Sequence, residues 1–175
     1  MTLPTGSNSP MKPDWRLWNK FAANITPGNM VLNQDFKEFL QLLNDHKVRY
    51  LLIGGYAVAF HGYPRYTKDL DVWIWLEAEN AKRLIVALEQ FGFGSLGLSD
   101  ADFLEPDQII QLGYPPSRID LLTSVPGVDF ETCDAVRIET LIDGTLVKFI
   151  DLENLKKNKQ ATGRPQDLAD IDNLT

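Results

Sequence analysis

The pair Asp69 and Asp71 in "KDLDVWIWL", separated by thirteen residues from the glycines of "LLIGG", constrains the chain more than any other feature. Successive side chains of a strand alternate faces, so the two aspartates project to one side while Leu70 and Val72 go to the other. Neighbouring carboxylates repel unless a metal ion, an Arg or Lys, or water at a strand end relieves them. The apolar run "VWIWL" that follows sets the pair at the start of a strand entering the core.

Upstream, "VRYLLIG", Val48 to Gly54, reads as a buried strand. Gly54 and Gly55 end it and open a short helix, Gly55 to His61, closed by Gly62. Lacking β-carbons, the two glycines let an anion approach backbone N–H groups, and phosphate is the anion expected there. The pattern is neither the dinucleotide GxGxxG nor a P-loop. A third carboxylate, Asp120, lies in the apolar strand "SRIDLLTSV", where it must face a metal, a basic group or solvent. Three acids on two neighbouring strands can hold a divalent cation in an oxygen cage.

The remaining pattern is mixed α and β. Asn33 caps a helix through "NQDFKEFLQLLNDHK" with Phe36, Phe39, Leu40 and Leu43 on its inner face. A helix over residues 77–92 turns Leu84, Leu88 and Phe91 inward and stops at Gly92. Ser99 and Asp102 make a capping pattern for a short helix, and a second short helix is expected in "GVDFETCDA". Hairpins are expected around Pro115–Pro116 and at Asp143–Gly144, and two C-terminal helices are broken near Gly163 to Pro165. Residues 1–14, rich in Pro, Gly, Ser and Asn, read as a flexible tail, and 15–175 as one domain. Trp15, Trp18 and Phe21 recur at helical spacing and either seal the core or dock a partner.

A net charge of −7 argues against a long nucleic-acid or anionic-membrane contact without a local basic cluster. The longest apolar run, Tyr50 to Phe60, is about half the length of a membrane span, so no membrane partner is expected. With no secretory pattern and a single cysteine, Cys133, read as an apolar filler, the expected compartment is the cytoplasm.

The succession Ile53-Gly54-Gly55, a spacer at the long end of the permitted range, Asp69-Leu70-Asp71-Val72, and then Ile119-Asp120-Leu121 resembles the nucleotidyltransferase superfamily of DNA polymerase beta-like fold. Within it, the HG of His61-Gly62, Arg65 and Thr67 before the DxD, and Lys159 with "RPQD" are similar to the minimal nucleotidyltransferases of the AbiEii toxin-like branch. The resemblance covers residues 35–175. It implies a mixed β-sheet flanked by helices, with C-terminal helices, and transfer of a nucleoside monophosphate from an NTP to a hydroxyl, in a toxin–antitoxin or defence setting. Asp69, Asp71 and Asp120 would be the catalytic and metal-binding residues for Mg²⁺ or Mn²⁺, with Asp120 also helping to accept the acceptor's proton. Gly54, Gly55 and the amide of Tyr56 would hold the phosphates, and Arg65, Lys68, Lys159 and Arg164 would offset their charge. Tyr56 stands where many family members carry a small or polar residue.

Lys159 and Arg164 also have a reading as ordinary charges near a helix C-terminus, and Asp167 and Asp170 read as partners of Arg164 or a solvated face. His61 reads first as a cap of its helix and second as a nucleotide contact. The acceptor is open among a tRNA end, a protein hydroxyl and a small molecule. Two other classes share these features. A metal-dependent glycosyltransferase uses DxD but leaves the glycine turn and Asp120 unexplained, and a catalytically silent module would keep the fold and act by binding a protein partner.

Overall fold

The computed structural model describes residues 30–174, and the segment with Trp15, Trp18 and Phe21 and the expected N-terminal tail lie outside the described residues. The first element is helix α1, Gln34–Asp45. The Asn33 side chain accepts the Phe36 N–H at 2.8 Å, supplying one of the donors that a helix start leaves free. Phe36, Phe39, Leu40 and Leu43 are all buried, as their spacing predicts.

Strand β1, Tyr50–Leu52, leads directly into helix α2, Gly54–Phe60, which begins one residue earlier than expected. Strand β2, Asp69–Ile74, then carries the DxD. Helix α3, Ala78–Leu88, is capped by Glu77 and runs into a wider turn, Glu89–Phe93, where Gly92 at φ 106° ends the helical path. The capping pair closes as expected, with the Ser99 N–H donating to Asp102 at 2.7 Å.

Strands β3, Ile109–Leu112, and β4, Arg118–Leu122, form the first hairpin. After helix α4, Phe130–Ala135, strands β5, Ile138–Ile142, and β6, Thr145–Phe149, form the second. Its turn places Asp143 and Gly144 at φ 49° and 78°, the left-handed pair that a two-residue hairpin requires. Helix α5, Leu152–Thr162, stops at Gly163 with φ 67°, and helix α6, Pro165–Asn173, restarts on Pro165 at its first turn.

The six strands form one mixed sheet in the order β3-β4-β2-β1-β6-β5. Both hairpins and the β1–β2 pair are antiparallel, whereas β2–β4 and β1–β6 are parallel. Leu70, Val72 and Ile74 are buried on one face of β2. Burial of a side chain of that size contributes about 1.5–3 kcal/mol, and a one-residue slip would exchange these residues for carboxylates, so the register is strongly held. On the opposite face Trp73, beyond the two aspartates, is buried edge-on against Phe130 at 5.1 Å. That face of the sheet is therefore acidic at the strand start and apolar further along. Among the described residues no helix is long and apolar enough to cross a membrane.

Candidate active site

Parallel pairing of β2 with β4 puts Asp71 opposite Asp120 and Asp69 opposite Arg118, four charged residues in two adjacent rows. Arg118 Nη2 donates to Asp69 Oδ2 at 2.7 Å and to Asp120 Oδ2 at 3.1 Å. Its Nε stands 3.0 Å from Asp120 Oδ1 as an ion-pair contact without hydrogen-bond alignment. Asp69 Oδ1 is buried and accepts no hydrogen bond from the described residues.

The Asp71 carboxylate makes no hydrogen bond or ion pair with the described residues. Burial, and then the charges of Asp120 and Asp69, push its carboxyl up to about 7, with Lys159 and Arg65 offsetting only part of the effect. Burial also raises the Asp120 carboxyl, against the pull of Arg118. The group is short of positive charge.

The two glycines are explained by the same strand. Gly54 adopts φ +64°, and a β-carbon there would collide with the Asp71 carboxylate. A β-carbon on Gly55 would come within 2.6 Å of Thr67 Cβ, and Thr67 in turn donates its hydroxyl to the Asp69 carbonyl at 3.2 Å. The Ile53 N–H donates to the Asp71 carbonyl at 3.1 Å. Small residues thus allow the start of α2 to lie directly on the DxD strand. The ring of Tyr56 packs edge-on against Phe36 at 5.7 Å.

The expected cations divide into three kinds. Lys159 is 4% exposed, with Nζ 3.1 Å from Asp167 Oδ1 and 2.8 Å from Asp170 Oδ2. Arg65 joins the same cluster through Asp170 at 2.9 Å. Arg164 pairs with Asp167 at 2.7 Å yet keeps 73% of its side chain exposed. Burial raises the Asp167 carboxyl, but hydrogen bonds from Arg164 and Lys159 outweigh it and hold the group below the usual range. Lys68 is exposed and lies 5.9 Å over the Tyr66 ring.

A cleft of about 500 Å³ opens over these groups, with Gly54, Asp71, Arg118, Asp120, Lys159 and Arg164 among its walls. Ile109, Leu122, Val125 and Pro126 line it as well. The Asn158 amide donates to the Pro126 carbonyl at 2.9 Å, tying α5 to the loop after β4 and holding the cleft's two walls together. Its size is that of a small-molecule site. Asp69, Gly55, Tyr56, Arg65 and Lys68, all expected at the site, are not among its lining residues.

Two features escaped the sequence reading. Arg118 sits two residues before Asp120 and so on the same strand face, a signal available in "SRID". Asp170 is fully buried and holds Lys159 and Arg65, whereas Asp167 pairs with Arg164 as expected. His61 caps α2, and its ring Nε2 lies 2.8 Å from the Ile150 carbonyl. Cys133 is a buried thiol.

The donor set of Asp69, Asp71 and Asp120 is all carboxylate oxygen, the chemistry that Mg²⁺ and Mn²⁺ prefer, and the unpartnered Asp69 Oδ1 and Asp71 fit such an ion. Arg118 stands among these oxygens, and among the described residues no three acidic, imidazole or thiol groups already converge as a metal cage.

No family model matches the chain, and no curated protein matches it. Solved structures do. An antigenic nucleotidyltransferase-like protein from Paracoccidioides brasiliensis is similar with a TM-score of 0.53 and 18% identity, over 82% of this chain and 77% of that one. The lincosamide antibiotic adenylyltransferase LnuA, in its lincomycin-bound form, is similar with a TM-score of 0.50 and 17% identity, over 83% of this chain and 98% of that one. The fold is nucleotidyltransferase-like, as the sequence resemblance implies.

Proposed function

We propose that the protein is a divalent-metal-dependent nucleotidyltransferase that moves a nucleoside monophosphate from an NTP to a hydroxyl. The observation that carries this reading is the register of β2 against β4, which sets Asp71 opposite Asp120, both lining a cleft of about 500 Å³ with Gly54, and puts Asp69 next to them on the same strand face. Asp69, Asp71 and Asp120 would hold Mg²⁺ or Mn²⁺. When bound, the metal would neutralise the triphosphate and stabilise the charge that develops on the oxygens of the reacting phosphate.

The chain's own residues would do the rest. The main-chain N–H groups of Gly54, Gly55 and Tyr56 would receive phosphate oxygens. Arg164, exposed at the cleft, would pair with phosphate, while Lys159 and Arg65 would act from beneath through the positive charge they bring toward Asp71. Lys68 would reach only the outer end of a ligand. The acceptor oxygen attacks the α-phosphorus, the bond to the β-phosphate oxygen breaks, pyrophosphate leaves with that electron pair, and Asp120 takes the hydroxyl proton.

The apolar stretch formed by Leu122, Val125 and Pro126 adjoins Asp120 and suits a base or a small-molecule acceptor. Together with the acidic net charge, it favours a small acceptor over a tRNA end or a protein hydroxyl. Placement in the AbiEii-like branch, in a cytoplasmic toxin–antitoxin or defence system, rests on Arg65, Thr67, Lys159 and "RPQD". These residues have a shared physical role here, since Arg65, Lys159, Arg164 and Asp167 belong to one ion-pair cluster and Thr67 supports the Asp69 backbone.

Calorimetry of the four NTPs with Mg²⁺ tests the proposal on the full chain and on the Asp69→Asn, Asp71→Asn double variant. Binding that requires metal and is lost in the variant is the expected result. A folded protein that binds none of them would sink it. That outcome would favour the second reading, a catalytically silent module acting through a protein partner, for which the occupation of Asp69 and Asp120 by Arg118 is the supporting observation.

A further inference from the structure

Among the described residues, Arg118 is the basic side chain that pairs with two of the three carboxylates, Asp69 and Asp120. Its position is built in twice, as cross-strand neighbour of Asp69 and as same-face neighbour of Asp120 two residues on. The guanidinium spans both partners at 2.7 and 3.1 Å, while Asp71 has no ion pair among the described residues. About a quarter of its side chain remains exposed, at 28%, and it forms part of the cleft wall. It is therefore a counter-ion at the edge of the solvent, not one sealed beneath the fold as Lys159 is.

A divalent cation and this guanidinium would claim the same oxygens of Asp69 and Asp120. The two positive groups cannot share them at contact distance without strong repulsion. For the cation to be held by all three acids, Arg118 must turn away. With metal alone, the displaced guanidinium has only water to meet. With a triphosphate in the cleft, it gains a polyanion whose oxygens match its planar donor fork.

We infer that Arg118 is a displaceable internal counter-ion: it holds Asp69 and Asp120 until a divalent cation and a nucleoside triphosphate arrive together, and so couples the binding of the two. This rests on the reading of the site as a metal-dependent nucleotide site. The coupling is reciprocal, because the factor by which triphosphate tightens metal binding equals the factor by which metal tightens triphosphate binding. Removing the guanidinium should favour metal binding in the absence of nucleotide.

The test is Mn²⁺ titration of the full chain, read by the spectroscopic signal of free Mn²⁺, without nucleotide and with a non-hydrolysable NTP. The proteins are wild type, Arg118→Gln, Arg118→Lys and Asp71→Asn. Arg118→Gln is expected to bind Mn²⁺ about tenfold more tightly than wild type without nucleotide and to show weaker coupling to the triphosphate. Arg118→Lys keeps one charge but cannot span both carboxylates, so it should lie between them. It carries the test if the glutamine variant does not fold. Mn²⁺ affinity and coupling unchanged from wild type in a folded Arg118 variant, with binding still lost in Asp71→Asn, would overturn the inference and leave the metal site standing. No Mn²⁺ binding sensitive to Asp71→Asn in any protein would overturn both.

Discussion

The backbone of Gly54 lies against the Asp71 carboxylate so closely that any β-carbon at position 54 would overlap it. A glycine in the left-handed region and a carboxylate on the adjacent strand thus share one volume, and each requires the other's geometry. The glycine turn is a seat for the aspartate as well as a candidate phosphate contact.

Replacing Gly54 by alanine should therefore act twice. Its φ of +64° costs a non-glycine residue about 1–2 kcal/mol, and the added methyl group displaces the Asp71 carboxylate. The expected result is a lower unfolding midpoint in urea together with loss of metal-dependent NTP binding. A variant as stable as wild type and with full binding would show that the turn adjusts freely.

Asp71 makes the metal-free protein sensitive to pH. Its folded-state carboxyl is pushed up to about 7 from an ordinary value of 3.8, so its contribution to stability is complete below that ordinary value and is lost as pH rises through 7. At about 1.4 kcal/mol per unit the loss is at most on the order of 4–5 kcal/mol, part of it shared with Asp69 and Asp120. Asp71→Asn should consequently be more stable than wild type at pH 8 and nearly equal to it at pH 4. Urea denaturation at the two pH values checks this, and equal stabilities at pH 8 would contradict it. Mg²⁺ added together with an NTP should raise the wild-type midpoint at pH 8 and leave the variant unmoved.

Lys159 and Arg164 belong to one cluster but should respond differently. Lys159→Met removes the buried cation shared by Asp167 and Asp170 and leaves each with a single arginine, at a cost of up to about 3–5 kcal/mol. Arg164→Ala removes an arginine that is largely exposed and leaves the buried Asp167 paired with Lys159, so it should cost about 1 kcal/mol or less while weakening NTP binding. Denaturation and calorimetry on the two variants separate these effects. Equal losses of stability would refute the division into a buried support and an exposed ligand.

Asp120→Asn should leave NTP binding within a few-fold of wild type while lowering turnover about a hundredfold or more, since general-base assistance contributes roughly that much. Single-turnover kinetics with the acceptor, once found, distinguish this from a binding defect. A variant impaired equally in both would make Asp120 a ligand-holding residue alone.

Much of the local structure was legible in the chain because its causes are local. The Asn33 cap, the Asp143–Gly144 turn, the Gly163 stop and the shared face of Asp69 and Asp71 each follow from a few neighbouring residues and a fixed side-chain period. The three carboxylates were recognisable as a set for the same reason, since each stands as a charge in an apolar strand.

What the sequence by itself determined, then, was which segments become strands and helices, which side of β2 carries charge, and that Asp120 needed a partner. Only the tertiary structure decided that β4 would lie parallel beside β2, that Arg118 would bridge Asp69 and Asp120, and that Asp170 would be the buried anchor of Lys159 and Arg65. Those choices join residues far apart in the chain, 49 positions between Asp69 and Arg118. They depend on burial and charge summed over the assembled sheet and C-terminal helices, quantities that no local window of sequence contains.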